Sequence, residues 1–154
     1  MTERKVDPTE AHRHFSVGCF NAAWDLMDKV DRTPQEEEEM LQRSIASLWH
    51  WAQRDDCTAQ NLSIGYWQVA RIQALLGRAD EARRYGKLCL EASVGDEIAP
   101  FAKAYAYEAL ARAEAVAGDT VKRDKYVSEV QAVLRGITDE ETRKMLLDDL
   151  ATIP

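Results

Sequence analysis

Apolar residues recur along the chain at the spacing of helix faces, and the pattern predicts seven helices and no strand. The first predicted helix covers residues 9–29. Its apolar positions are Phe15, Cys19, Ala22, Ala23, Leu26 and Met27. Residues three and four positions apart share one face of a helix, so these side chains form a stripe that packs against a neighbour.

Capping residues and glycines indicate where the predicted helices begin and end. Thr33-Pro34-Gln35-Glu36 predicts a capping box with a proline at the first helical position, at the start of the second helix. Thr138-Asp139-Glu140-Glu141 predicts a second capping box, which opens the last helix. Gly77, Gly118 and Gly136 each follow a predicted helix and end it. Helices three to six are predicted over about residues 58–76, 80–92, 100–117 and 121–135.

An internal repeat appears when the chain is shifted on itself by 41 residues. The shift aligns Tyr66 with Tyr107, Ala70 with Ala111, Arg71 with Arg112, Ala74 with Ala115, Gly77 with Gly118, and Tyr85 with Tyr126. Each copy therefore consists of a helix, a glycine turn and a second helix.

The repeat resembles the tetratricopeptide repeat (TPR), which has an aromatic residue early in helix A, a small residue four positions on, glycine at the turn and a small residue in helix B. The matching residues are Tyr66, Ala70, Gly77 and Ala82 in one copy, and Tyr107, Ala111 and Gly118 in the other. Arg123 departs from the pattern, the closing proline is missing from both copies, and the period of 41 exceeds the usual period of about 34. The Trp24–Pro34 segment also resembles small bacterial TPR-like proteins of unassigned function.

The resemblance implies an all-α fold, a TPR-like superhelix of about three antiparallel helix pairs with a C-terminal capping helix. We expect one domain over residues 1–154, with pairs at 9–57, 58–94 and 98–136 and the cap at 138–152. In such repeats the A helices line a concave surface suited to peptides or small ligands.

Charge and composition narrow the classes of partner. The 20 basic and 27 acidic residues give a net charge of −7, which disfavours nucleic acid and anionic membranes. The N-terminal segment carries no apolar leader and no run of about 18 apolar residues occurs, so we expect a cytoplasmic protein. The cysteines Cys19, Cys57 and Cys89 have no C-x-x-C spacing, which indicates reduced and mostly buried thiols.

The repeat register places one group of polar and aromatic residues on the concave side. Two arginines at equivalent positions, flanked by aromatic rings, suit a carboxylate or phosphate beside an apolar group. The predicted partner-binding residues are Trp67, Arg71, Tyr105, Glu108 and Arg112, with Ile64 beside them. The alternative is internal: Glu108 pairs with both arginines, while the two aromatic residues fill the space between helices.

A second hypothesis places a small-molecule sensor or an enzyme in a pocket between the first three helices. Its residues are Trp24, His50 and Trp51, together with Trp67. The structural alternative makes His50 a histidine at the edge of the core.

No catalytic, phosphate-binding or metal-binding motif supports an enzyme. His12 and His14 lie two positions apart, so on a helix they point in nearly opposite directions and cannot share one ion. We therefore predict a non-enzymatic module without cofactor or metal that binds a protein or peptide. Exposed ends of a short solenoid also favour a homodimer.

Overall fold

The computed structural model describes residues 5–154, and within this part of the chain it contains seven helices and no strand. The helices are α1 Pro8–Asp28, α2 Pro34–Ala52, α3 Ala59–Leu75, α4 Ala79–Ala92, α5 Pro100–Ala117, α6 Thr120–Leu134 and α7 Glu140–Ala151. The predicted all-α class is thus confirmed. Residues 1–4 belong to the predicted domain and to the N-terminal segment discussed above, and they lie outside the described residues.

Local capping chemistry fixes where the helices begin. The predicted box at α2 is confirmed: Glu36 N–H donates to Thr33 Oγ1 at 3.2 Å, and Thr33 N–H donates to Glu36 Oε2 at 2.9 Å. The predicted box at α7 is wrong, because the N-cap is Asp139, whose carboxylate accepts from Thr142 N–H at 2.9 Å. A carboxylate is at least as good an N-cap as a threonine hydroxyl and also meets the positive end of the helix dipole, so the helix begins one residue later.

Neighbouring helices pack in pairs: α1 with α2, α3 with α4, and α5 with α6. The pairs adjoin because α3 also contacts α2 and α5, and α4 contacts α5. The last helix, α7, lies against α5. The core includes one cluster among the first three helices and another among the last three. The first is formed by Ala23, Met40, Leu41, Val69 and Ile72, and the second by Ala104, Val130, Leu134, Ile137 and Leu146.

The 41-residue repeat has the same local structure in both copies. Gly77 and Gly118 adopt left-handed backbone conformations, with φ of 73° and 80°. The rings of Tyr66 and Tyr85 have centroids 6.4 Å apart, and the equivalent rings of Tyr107 and Tyr126 are 6.3 Å apart. The repeat is therefore a repeated packing unit: the glycine ends helix A, and a pair of tyrosines joins helix A to helix B.

The three thiols differ in burial. Cys89 is buried, whereas Cys19 and Cys57 are half-buried, so the expectation of mostly buried thiols is met only at Cys89. Burial raises the pKa of Cys89 to about 11, which keeps that thiol protonated at neutral pH. No helix in the described part of the chain has the length and apolar character needed to cross a membrane.

Candidate functional site

An aromatic cleft lies between α1, α3, α5 and α7, with a volume of ≈ 230 Å³. Four aromatic residues from three helices converge on it, and α7 closes one side. We call this the α7 cleft, and its lining residues are Trp24, Ser63, Ile64, Trp67, Phe101, Ala102, Tyr105, Met145 and Asp149.

Trp67 is the central ring of the α7 cleft. Its centroid is 5.6 Å from that of Trp24, with the two planes inclined at 35°, and 5.4 Å from that of Tyr105, at 74°. Tilted and edge-on arrangements suit the quadrupoles of aromatic rings and stabilise such pairs by about 0.5–1.5 kcal/mol each. One aromatic residue from each of α1, α3 and α5 thus holds the wall together.

A fully buried carboxylate, that of Glu108, lies behind this wall. Its Oε2 accepts the indole N–H of Trp67 at 2.9 Å. Its Oε1 accepts from Arg112 Nη2 at 2.6 Å and Nε at 2.9 Å, and from Arg71 Nη1 at 3.2 Å. A buried charge is tolerated when it is paired and hydrogen-bonded, and Glu108 meets both conditions.

The same network fastens α7 to the repeat. Asp149 Oδ2 accepts the phenol of Tyr105 at 2.8 Å, and its Oδ1 lies 3.7 Å from Arg71 Nη1. Arg112 Nη2 donates to the Asp149 carbonyl at 3.0 Å and to Thr152 Oγ1 at 2.8 Å. At the end of α7 the guanidinium thus adds a hydrogen bond to a carbonyl of the last turn and meets the negative end of the helix dipole.

The ionic groups beside the cleft balance one another. Two guanidinium groups, Arg71 and Arg112, face two carboxylates, Glu108 and Asp149. Burial lowers the pKa of Arg71 while Glu108 raises it, and an arginine stays charged at neutral pH. Burial and the hydrogen bond to Asp149 raise the pKa of Tyr105, so its phenol stays a donor. These four charges therefore sum to zero.

The structure brings the predicted partner-binding residues together on α3 and α5, in two different settings. Trp67 and Tyr105 line the cleft, as does Ile64. Arg71, Glu108 and Arg112 instead bond to one another behind it. These contacts are the ion pairs that the alternative interpretation expected between Glu108 and the two arginines. Trp67 and Tyr105, however, still line the open cleft.

The residues of the predicted His50 pocket do not share one cavity. Trp24 lines the α7 cleft, but His50 and Trp51 are not among its lining residues. Trp51 borders a separate cavity of ≈ 110 Å³, and the guanidinium carbon of Arg54 lies 3.9 Å from its ring centroid. His50 packs against α1 instead, with its Nδ1 2.8 Å from Nδ1 of His12.

Sequence reasoning missed five of the residues that line the cleft: Ser63, Phe101, Ala102, Met145 and Asp149. One signal was available, because Met145 and Asp149 are four positions apart and so share a face of α7. That spacing identifies the face, but it does not reveal that the face lies over α3 and α5.

The fold and the cleft define a class: an all-helical protein of packed helix pairs with an aromatic cleft that its last helix borders on one side. Comparison with protein-family models, with curated proteins and with solved structures found no match. Within residues 5–154, no three side chains of His, Cys, Asp or Glu are grouped so as to hold a metal ion.

Proposed function

We propose that the chain is a TPR-like, non-enzymatic binding module whose α7 cleft takes one large apolar side chain from a peptide or partner protein. The observation that carries the proposal is the convergence of Trp24, Trp67, Phe101 and Tyr105 on one open cleft. Clefts lined by aromatic residues with few polar groups are typical of binding sites in proteins.

The helix arrangement supports the TPR-like part of the proposal. Helices α1, α3 and α5 begin successive pairs, and they supply Trp24, Trp67 and Tyr105 respectively. In helical repeat proteins the first helices of successive repeats line the ligand-binding face. The cleft would then occupy the concave face, with α7 as the cap of the last repeat.

The size of the cleft favours a side chain over a whole small molecule. Sites for drug-sized ligands usually enclose about 300–1,000 Å³. The ≈ 230 Å³ of the α7 cleft falls below that range and suits one aromatic ring system. The flanking residues of such a peptide would lie outside the cleft.

Charge and hydrogen bonding define the ligand further. The four ionic groups beside the cleft already pair with one another, so a charged side chain in the cleft would compete with these pairs and lose its own hydration. Asp149 remains an acceptor at the cleft, which favours an indole N–H or a phenol O–H. The net charge of −7 attracts basic residues, so we propose a tryptophan or tyrosine anchor with basic flanks.

Selection from a phage-displayed library of random peptides tests the proposal. The blocking variant is Met145→Trp, because Met145 lines the cleft and is 55% exposed, so a larger side chain there fills the opening without disturbing the core. The matched control is Leu147→Trp, on the same helix, 49% exposed and outside the lining.

We expect the selected peptides to share an aromatic anchor and to bind the wild type and Leu147→Trp equally. Met145→Trp should weaken binding at least about tenfold, the loss expected when a buried anchor worth about 1.4 kcal/mol or more is displaced. Replacing the anchor of the peptide by alanine should have the same effect. Peptides that bind Met145→Trp as well as the wild type, or that share no aromatic residue, would refute the proposal.

A further inference from the structure

Two histidines that are distant in sequence meet on the first helix pair, away from the α7 cleft. Nδ1 of His12, on α1, lies 2.8 Å from Nδ1 of His50, on α2. Both side chains are half-buried, so water reaches them. Two aromatic rings flank the pair. The ring centroid of Trp49 lies 5.4 Å from that of His12, and the ring centroid of Phe15 lies 5.4 Å from that of His50.

The distance between the two nitrogens fits a particular coordination geometry. An ion about 2.0–2.1 Å from each of two imidazole nitrogens separates them by about 2.9 Å when it binds them at a right angle, and by about 3.4 Å at the tetrahedral angle. The observed 2.8 Å therefore suits two adjacent positions of a six-coordinate, octahedral or tetragonally distorted ion. Binding of such an ion requires both rings to turn from their mutual hydrogen bond until the two Nδ1 lone pairs point towards the ion.

We propose that His12 and His50 form a two-histidine binding site for a divalent transition-metal ion of tetragonal preference, Ni²⁺ or Cu²⁺. Imidazole nitrogen is a good ligand for both ions, and both favour right angles between neighbouring ligands. Water fills the remaining positions, since no third His, Cys, Asp or Glu of the described residues joins the pair. The site is thus open, and its ion can exchange or accept an exogenous ligand.

Proton positions are compatible with this binding. In the ion-free pair one ring holds its proton on Nδ1 and donates it to the Nδ1 of the other ring. When the ion binds, that proton moves to Nε2 of the same ring, both Nδ1 lone pairs coordinate the ion, and no net proton is released from two neutral rings.

Isothermal titration calorimetry of the full chain with NiCl₂ at pH 7.5 tests the site. Ni²⁺ is the better probe because Cu²⁺ is reduced by free thiols, and Cys19 and Cys57 are only half-buried. The test variants are His12→Gln and His50→Gln. The matched control is His14→Gln, which removes an exposed histidine of the same helix that is not part of the pair.

We expect one Ni²⁺ to bind the wild type and His14→Gln with equal affinity. Either test variant should lose at least about tenfold, since even the loss of an outer-shell partner of a metal site costs about 10–100-fold. Mg²⁺ should not bind, because it prefers oxygen ligands.

Nuclear magnetic resonance of the wild type with Ni²⁺ decides the location independently of whether the variants fold. With water in its remaining positions the bound Ni²⁺ is six-coordinate and paramagnetic, so it should broaden the ring signals of His12 and His50 first, and those of His14 later. Equal affinity in His12→Gln and the wild type, loss of binding in His14→Gln, or earliest broadening at His14 or at a cysteine would overturn the proposal.

Discussion

The indole N–H of Trp67 donates to Oε2 of Glu108 at 2.9 Å, and the two residues occupy equivalent positions of the 41-residue repeat. Arg71 and Arg112, a pair that is identical in the two copies of the repeat, bond to the same carboxylate through its Oε1. At this repeat position one copy supplies an indole donor and the other a carboxylate acceptor. A position at which the two copies differ in sequence therefore joins them by a hydrogen bond.

Glu108→Gln should destabilise the fold strongly. The neutral amide leaves the guanidinium groups of Arg71 and Arg112 without their shared counter-charge, and both side chains are largely buried. Removing one partner of a buried ion pair costs about 3–5 kcal/mol. We expect a loss of that size in the free energy of unfolding, measured by urea denaturation.

Glu39→Gln is the control for this prediction. Glu39 also pairs with an arginine four positions on, Arg43, but both side chains are exposed. An exposed pair contributes little, so we expect a change of no more than about 0.5 kcal/mol. If Glu108→Gln changed stability as little as Glu39→Gln, the buried network would not stabilise the fold.

Local signals explain why the helix pattern was predictable. Gly118 ends α5 because its left-handed conformation, with φ of 80°, suits glycine, and a glycine after an apolar stripe is visible in the sequence. The capping box at Thr33 is equally local, since both of its hydrogen bonds join residues three positions apart. Where two local caps compete, as Thr138 and Asp139 do at α7, the sequence leaves one residue of ambiguity.

The candidate site was only partly predictable, because spacing assigns residues to faces but does not say which faces meet. Helical periodicity placed Trp67 and Arg71 on one side of α3. Tyr105 meets Asp149 across 44 residues, and His12 meets His50 across 38. Such contacts depend on how helices pack in three dimensions, and one sequence does not contain that information in readable form.

The two repeat glycines should respond alike to substitution by alanine. Gly77→Ala and Gly118→Ala each place a Cβ at a left-handed backbone position, with φ of 73° and 80°. That conformation costs an L-residue about 1–2 kcal/mol, so each variant should lose roughly that amount in thermal or urea unfolding.

Gly18→Ala should have the opposite effect. Gly18 lies inside α1, and apart from the adjacent residues and the backbone of the helix itself, no described atom lies within 4 Å of the position of a Cβ there. Alanine in an exposed helix interior stabilises by about 0.5–1 kcal/mol relative to glycine. If Gly118→Ala behaved like Gly18→Ala, the left-handed turn would not be required in the fold.

Asp149→Ala should loosen α7 while the helix pairs stay folded. The variant removes the acceptor of the Tyr105 phenol and the carboxylate near Arg71. A hydrogen bond involving a charged group contributes about 1.5–3 kcal/mol. We therefore expect amide hydrogen exchange in α7 to accelerate by at least about tenfold, as mass spectrometry of peptides from this helix would show.

Asp148→Ala provides the matched control, one residue away on the same helix. Asp148 is exposed, and its one ion pair within residues 5–154 is with the exposed Lys144. Exchange in α7 should therefore change little. Equal acceleration in both variants would mean that any loss of charge from this helix loosens it, and that Asp149 does not specifically fasten α7 to the repeat.

Stability should fall as the pH decreases through the range in which histidine titrates, and His50 should account for part of the slope. Burial, and then the charge of His12, lower the pKa of His50 below its ordinary value of 6.5 in the folded chain. The unfolded chain then binds more protons than the folded chain, so the free energy of unfolding is greatest above pH 6.5 and is lost as the pH falls towards the lowered pKa. One group contributes a slope of at most about 1.4 kcal/mol per pH unit.

Urea unfolding between pH 7.5 and 5, with a chelator present, tests this dependence on pH. The free energy of unfolding of His50→Gln should vary less with pH than that of the wild type, and that of His14→Gln should vary as the wild type does. A profile of His50→Gln that parallels the wild type would assign the slope to other groups.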